Sequence, residues 1–255
     1  MKIRGTLVVG LIGIFLLSAD LIQRTVISFL VWALPSRRER ILAWWIQRMA
    51  DGVLLLVSIA GGARFGPKIK IPGKPGVLIV MNHQSILDIP VAVSCMRPLH
   101  PRIISRARYA RGKPLVSHLI RLYQYPTVDP RATVKADLEE LADAARHSPV
   151  PFMIYPEGTR SRDGAIAKLR RNGLRNILGS RDWEVHVVTI DGYWQCGKIK
   201  DFLSSVATIR GSLRSDGPFQ FDGPNASEDA IEEFIDMLES RMQQGLSQLR
   251  GETAG

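Results

Sequence analysis

Cysteine is close to absent from this 255-residue chain: Cys95 and Cys196 stand alone, too few for a disulfide framework or a four-ligand zinc site. Both read as core fillers in a reducing compartment. Paired metal-ligand spacing is missing too, since His83, His100, His118, His147 and His186 form no such motif. There is no glycine loop of the nucleotide-binding kind and no Gly-x-Ser-x-Gly nucleophile elbow. No metal or cofactor is therefore expected. Acidic residues are in deficit, with 24 Asp plus Glu against 34 Lys plus Arg and a net charge of +10. That balance favours anionic partners: lipid headgroups, phosphorylated substrates or nucleic acid. The basic residues do not cluster with aromatics in a recognisable nucleic-acid module, which disfavours the last. A hydrophobic content of 45% over this length supports a sizeable core and excludes disorder and collagen-like structure.

Charge is missing from Gly5 to Ala19 and again from Thr25 to Ser36, with Asp20, Gln23 and Arg24 between. As a helix the first run rises only about 22 Å, short of a hydrocarbon core of about 30 Å. Lys2 and Arg4 precede it, and Arg37, Arg38 and Arg40 follow the second run. One crossing would leave a basic cluster on the disfavoured side. We therefore expect a helical hairpin that enters and leaves one leaflet, then interfacial helices around Trp44, Trp45 and Leu54 to Val57. A single tilted span with Asp20 and Arg24 paired at i,i+4 is the alternative, and the tryptophan segment reads equally as a plain buried helix. A cleaved signal peptide fits less well, because the apolar run continues past any cleavage site. The boundary falls near residue 65, giving a membrane-associated helical segment at 1–64 and an α/β unit at 65–255.

From Gly76 onward short apolar runs alternate with amphipathic stretches, the pattern of an α/β domain. Strands are expected at Val77 to Met81, Ile103 to Ser105, Phe152 to Tyr155, Val185 to Ile190 and Val206 to Leu213. One helix opens at Asp129-Pro130 and carries Val134, Leu138, Leu141 and Ala145 on one face. The last spans about Ser227 to Leu249, with Ile231, Phe234, Ile235, Leu238 and Met242 at helical spacing.

The strand ending at Met81 runs directly into Asn82-His83-Gln84-Ser85-Ile86-Leu87-Asp88, placing polar residues at the carboxyl end of a buried strand, where α/β folds put their sites. Ser85 and Asp88 have capping-box spacing, which starts a helix at Ser85 and leaves His83 on the incoming loop, able to fold back toward Asp88. A carboxylate on one imidazole nitrogen fixes the tautomer and frees the other nitrogen to take a proton. With no elbow serine and no suitable cysteine, the attacking hydroxyl then belongs to a substrate. Alternatively Asp88 only caps the helix and His83 is a loop histidine. A second strand-to-loop junction reads Tyr155-Pro156-Glu157-Gly158-Thr159-Arg160-Ser161. Here an arginine fork, a threonine hydroxyl and exposed amides can converge on a phosphate around a glycine turn, or form a turn and nothing more.

Asn-His-x4-Asp some seventy residues before Pro-Glu-Gly-Thr-Arg-Ser, behind a membrane-like amino terminus, resembles the glycerophospholipid acyltransferases, particularly the 1-acylglycerol-3-phosphate acyltransferases, over roughly residues 65–215. The resemblance implies a single mixed-sheet α/β acyltransferase domain flanked by helices, with an N-terminal helical membrane-anchoring hairpin. It implies His83 and Asp88 as catalytic pair and Glu157, Gly158, Thr159 and Arg160 as acceptor-binding block. Arg106, where relatives commonly carry lysine, and Lys168, at the head of the basic stretch Lys168-Leu169-Arg170-Arg171-Asn172-Gly173, are the further candidate phosphate contacts. Two departures stand out. Val128-Asp129-Pro130-Arg131 places a proline inside the family's usual aspartate-arginine pair, so Asp129 reads as an N-cap and Arg131 is not counted among the substrate ligands. His186-Val187-Val188-Thr189-Ile190-Asp191-Gly192 lacks the proline of the usual Val-Pro-Val block.

The implied activity moves a fatty acyl group from acyl-CoA or an acyl carrier protein to the hydroxyl of a lysophospholipid, in the first place 1-acylglycerol 3-phosphate, giving phosphatidic acid. Lysophosphatidylethanolamine, glycerol 3-phosphate or an amine-linked lipid are alternative acceptors, and a non-catalytic lipid-binding membrane protein is the rival class. The expected place is a membrane's cytoplasmic face, in contact with membrane lipid.

Overall fold

In the computed structural model, which describes residues 2–129 and 135–251, the strands are β1 (Arg64–Phe65), β2 (Ile71–Gly73), β3 (Val77–Met81), β4 (Met96–Pro98), β5 (Arg102–Ile103), β6 (Ser105–Arg106), β7 (Thr127–Val128), β8 (Phe152–Ile154), β9 (Trp183–Asp191) and β10 (Arg210–Phe221). The α-helices are α1 (Lys2–Ile22), α2 (Ser28–Ala33), α3 (Arg38–Ile59), α4 (Asp88–Ser94), α5 (Val116–Leu122), α6 (Lys135–Arg146), α7 (Arg171–Leu178), α8 (Ile199–Ser205) and α9 (Glu228–Arg250). The main sheet has the order β1-β10-β9-β3-β8-β5. β3 pairs in parallel with both β8 and β9, while β9 and β10 pair antiparallel, so the sheet is mixed.

All five residues of β3 are fully buried, because both faces of the sheet are covered. Side chains alternate between faces with a period of two. Leu78 and Val80 therefore point into a core with Val185 and Val187 of β9, Leu174 of α7 and Ile235 and Met242 of α9. Ile79 and Met81 point the other way, into a core shared with Val91 of α4 and with Val8, Ile27, Leu42 and Met49 of the amino-terminal helices. Burying each such aliphatic side chain stabilises the fold by about 1.5–3 kcal/mol. Cys95 and Cys196 are buried free thiols, in keeping with the sequence reading.

The amino-terminal segment departs from the expected hairpin in where it turns. The two uncharged runs form one helical stretch, Ile3–Ala33, and the reversal comes at Pro35–Arg37, before α3. The polar interruption is a docking point instead of a turn. Asp20 and Arg24 pair at 2.9 Å, and the other Asp20 oxygen accepts the Leu115 N–H at 2.9 Å. Gln23 is buried in a π-helical turn between Trp45 Nε1 and the His118 ring. One helix face thus packs on the α/β unit, and the opposite face leaves Leu7, Ile14, Leu17, Leu21, Phe29 and Trp32 exposed. α3 is likewise two-faced, with Trp45 buried and Trp44 exposed. Ile3–Ala33 and Pro35–Ile59 are both long and apolar enough to anchor the chain to a membrane.

Other boundaries shift by small amounts. The expected strand at Val206 to Leu213 begins as a 3-10 turn, Val206–Thr208, and β10 then continues to Phe221 through half-exposed residues that carry little hydrophobic signal. Ile103 to Ser105 is divided between β5 in the main sheet and β6, which pairs with β7. In α6 Leu141 and Ala145 are buried, whereas the predicted opening at Pro130, with Arg131 and Val134, lies outside the described residues. α9 is capped by Ser227, whose Oγ accepts the Ala230 N–H, and ends at Gly251 in the left-handed conformation.

Candidate active site

β3 and β8 are adjacent parallel strands, so the loops at their carboxyl ends emerge on the same edge of the sheet. Asn82 closes the first loop's entry by exchanging two hydrogen bonds with Ile190 of β9, at 2.8 and 3.0 Å. His83 follows with its side chain 17% exposed, while Asp88 is fully buried. Asp88 Oδ2 accepts three donors: His83 Nδ1 at 2.7 Å, the Gln84 N–H at 2.6 Å and the Ser85 N–H at 2.8 Å. Only half of the expected capping box forms. Ser85 Oγ is used elsewhere, donating to the Cys196 carbonyl at 2.7 Å and accepting the Leu87 N–H, and the helix starts at Asp88 instead of Ser85. The three donors converge on a single oxygen, and Asp88 Oδ1 is buried without a partner among the described residues. With Nδ1–H directed at the carboxylate, Nε2 is the ring nitrogen left to exchange a proton.

The second loop is built onto the first. The His83 N–H donates to Glu157 Oε1 at 2.7 Å, and the Ser161 N–H donates to the His83 carbonyl at 2.7 Å. The Tyr155 ring stacks on the imidazole with centroids 4.2 Å apart. Glu157 Oε2 accepts the Ala167 N–H at 2.8 Å. Buried as it is, with each oxygen on a backbone amide, Glu157 joins the two loops. Burial pushes its carboxyl up to about 7, against the pull of the Ala167 and His83 amides, and the nearby Asp88 charge adds to the rise.

Gly158 adopts a φ of +64°, and a Cβ there would come within 2.8 Å of the Arg170 side chain, so the turn requires glycine. Thr159 is exposed at its tip. Arg160 is half-buried and donates to the Gly197 carbonyl; Arg106, also half-buried, donates to the Gly158 carbonyl at 2.6 Å. Together with Arg108 they make a positive field that Tyr109 registers. Burial acts to raise its phenol, but the Arg108 hydrogen bond and the charges of Arg108, Arg160 and Arg106 hold it below its ordinary value. Lys168 is exposed, next to Ala167. The rest of the basic stretch divides: Arg170 packs against Gly158, while Arg171 forms ion pairs with Glu232, Asp236 and Glu239 of α9, and Arg175, one turn further along α7, adds a pair with Glu232, so that two helices are held together. Among the described residues no group of three or more His, Cys, Asp or Glu side chains converges as metal ligands would.

Sequence reasoning alone passes over Tyr155, Arg108 and Gln84. Tyr155 and Gln84 lie inside the quoted motifs, so their position is the available signal; Arg108 has none beyond its nearness to Arg106.

A family model described as Acyltransferase matches residues 64–191, the stretch that holds both loops. No curated protein is found to match. Among solved structures, the crystal structure of the 1-acyl-sn-glycerophosphate (LPA) acyltransferase PlsC from Thermotoga maritima is similar in fold, with a TM-score of 0.63 at 20% identity and with 100% of each chain covered. By the extent of the family match, half of its length, this chain belongs to the Acyltransferase family.

Proposed function

We propose that this acyltransferase transfers a fatty acyl group from an acyl thioester, acyl-CoA or an acylated carrier protein, to the free hydroxyl of a lysophospholipid, first of all 1-acylglycerol 3-phosphate. The observation that carries the reading is the junction of the two loops: a histidine aligned by a buried carboxylate, tied through Glu157 to the loop that carries Arg160 and whose Gly158 carbonyl accepts a hydrogen bond from Arg106. Phosphate is a natural ligand for an arginine guanidinium.

Nε2 of His83 takes the proton of the acceptor hydroxyl as that oxygen attacks the thioester carbonyl carbon. Asp88 stabilises the imidazolium that results. When the C–S bond breaks, the departing thiolate receives the proton from Nε2, and the new ester leaves with no covalent enzyme intermediate. General-base assistance of this kind contributes roughly 10²–10⁴-fold. Holding hydroxyl and thioester in reacting geometry can contribute about 7–11 kcal/mol more. Arg160, Arg106 and Lys168 hold the phosphate, with Thr159 at the loop tip and Gly158 keeping the backbone turn open. Catalysis belongs to residues 65–255 and anchoring to 1–64, where the exposed stripe of the first helix lies along a leaflet. A soluble, cytoplasmic thioester donor places that leaflet on the cytoplasmic side.

The test is mass-spectrometric identification of the product when the purified protein is given an acyl thioester and, in separate reactions, lysophosphatidic acid, lysophosphatidylethanolamine or glycerol 3-phosphate. Phosphatidic acid formed fastest supports the reading; another acceptor used in preference replaces the named substrate.

A further inference from the structure

Gln84 lies between His83 and Ser85 and is fully buried, yet it has no part in the proton transfer just described. Its backbone N–H donates to Asp88 Oδ2 at 2.6 Å. Both ends of its side-chain amide are engaged. Nε2 donates to the Gly164 carbonyl at 3.2 Å and to Asp191 Oδ1 at 3.0 Å, and Oε1 accepts the Tyr193 N–H at 3.1 Å. One buried side chain therefore joins the loop after β3, the loop that carries Arg160, and the turn after β9.

Arg250, in the last turn of α9, grips the same two acceptors from the other side. Its Nε and Nη2 reach the two oxygens of Asp191 at 2.9 and 3.1 Å, and Nη2 also reaches the Gly164 carbonyl at 3.0 Å. Gly164 has φ +87°, and a Cβ there would lie 2.7 Å from Arg250 Nη2. Burial acts to raise Asp191, but the hydrogen bonds from Arg250 and Gln84 outweigh it and keep the carboxyl below its ordinary value, ionised and able to bind both partners. α9 does not depend on this contact for its place, since Ile235, Leu238 and Met242 are fully buried and Glu232 pairs with Arg171 and Arg175.

We propose that Gln84, Asp191 and Arg250 form a clamp that sets the register between the His83 loop and the Arg160 loop, and that Arg250 is a positioning residue for acyl transfer, acting through Asp191 and Gln84 on Asp88. The kinetic side of this inference rests on the function proposed above; the structural side does not. Lysine cannot replace Arg250, because a single ammonium lacks the fork that spans a carboxylate and a carbonyl together.

The experiment compares wild type, Arg250→Ala, Arg250→Lys and Arg171→Ala, the last loosening α9 away from the clamp. Hydrogen–deuterium exchange is followed in the peptides spanning 82–88 and 158–165, with melting temperature and steady-state kinetics measured in parallel. Both Arg250 variants are expected to exchange faster in both peptides, to keep a melting temperature within a few degrees of wild type, and to lose tenfold or more in kcat/KM for the acceptor with the donor KM unchanged. Arg171→Ala is expected to melt lower while leaving the 82–88 peptide protected. Unaltered exchange in Arg250→Ala, or an activity loss that only tracks a fall in melting temperature, overturns the clamp. If wild type acylates no lysophospholipid while Arg250→Ala still loosens both loops, the clamp stands and the proposed function falls. If wild type is active and Arg250→Ala is indistinguishable from it, the function stands and the clamp falls.

Discussion

Glu157 Oε1 accepts the backbone N–H of His83 at 2.7 Å across 74 residues of chain, and through this bond the two motif loops share one edge of the sheet. Topology brings the loops near each other, because β3 and β8 are parallel neighbours with their carboxyl ends at the same end of the sheet, and the bonds from Glu157 and Ser161 to the His83 backbone join them. Glu157 also accepts the Ala167 N–H, so one side chain ties the His83 loop to both limbs of the loop that carries Arg160.

Asp88→Asn keeps the shape of the side chain and an acceptor for the amides but removes the charge that faces the imidazolium. A fall in kcat of roughly 10²–10⁴-fold is expected, at little change in either KM. Steady-state kinetics with both substrates varied would check this. A kcat within a few-fold of wild type would mean that the carboxylate only shapes the loop.

Arg160→Ala is expected to raise the acceptor KM by about 10- to 100-fold, the size of a lost charge-assisted hydrogen bond of roughly 1.5–3 kcal/mol. The donor KM should move far less. An effect confined to the donor would place the anionic thioester carrier, and not the lysolipid phosphate, on this arginine.

Glu157 makes stability depend on pH in a stated direction. Its folded value of about 7 lies above the ordinary 4.5, so between these two the folded chain binds more protons than the unfolded one. The stability this group contributes therefore falls as pH rises through that window, by an amount on the order of 3 kcal/mol. Glu157→Gln does not titrate. Its stability deficit relative to wild type is expected to be greatest near the lower end of the window and to shrink toward neutrality, as read by urea unfolding at a series of pH values. A deficit that grows with pH would mean that the two amide donors hold the carboxylate ionised throughout.

Leu17 is 59% and Trp32 77% exposed on the outer face of the first helix. Leu17→Glu combined with Trp32→Glu is expected to reduce co-sedimentation with phospholipid vesicles severalfold while the melting temperature holds. Removing the helix outright is a poorer test, because Val8, Ala19 and Ile27 on its inner face belong to the core and their loss would change packing as well as anchoring. Unchanged sedimentation of the double variant would remove the stripe from the account of anchoring.

The features most legible in the sequence are those with local causes. Five apolar residues ending in a polar run mark β3 and its loop, and a serine followed by periodic Ile231, Ile235 and Leu238 marks α9, both nearly to the residue. The path of the first helix is not legible, because its polar break admits two explanations, a turn or a continuous helix with Asp20 and Arg24 paired; the structure shows the pair within one helical stretch, with Trp45, His118 and Leu115 as further partners that the sequence does not reveal. The place of Glu157 is hidden for the same reason: a motif shows that a carboxylate is present, not which amides consume it. Arg250 carries no sequence signal at all, since its partner Asp191 is 59 positions away.

The most direct measurement follows product formation by His83→Ala and wild type side by side, with lysophosphatidic acid and an acyl thioester, after circular dichroism has shown both to be folded and vesicle binding has shown both to reach the lipid. Wild type is expected to form phosphatidic acid and His83→Ala to fall by a thousandfold or more. A folded, vesicle-bound His83→Ala that retains most of the wild-type rate would contradict the assignment of His83 as the base.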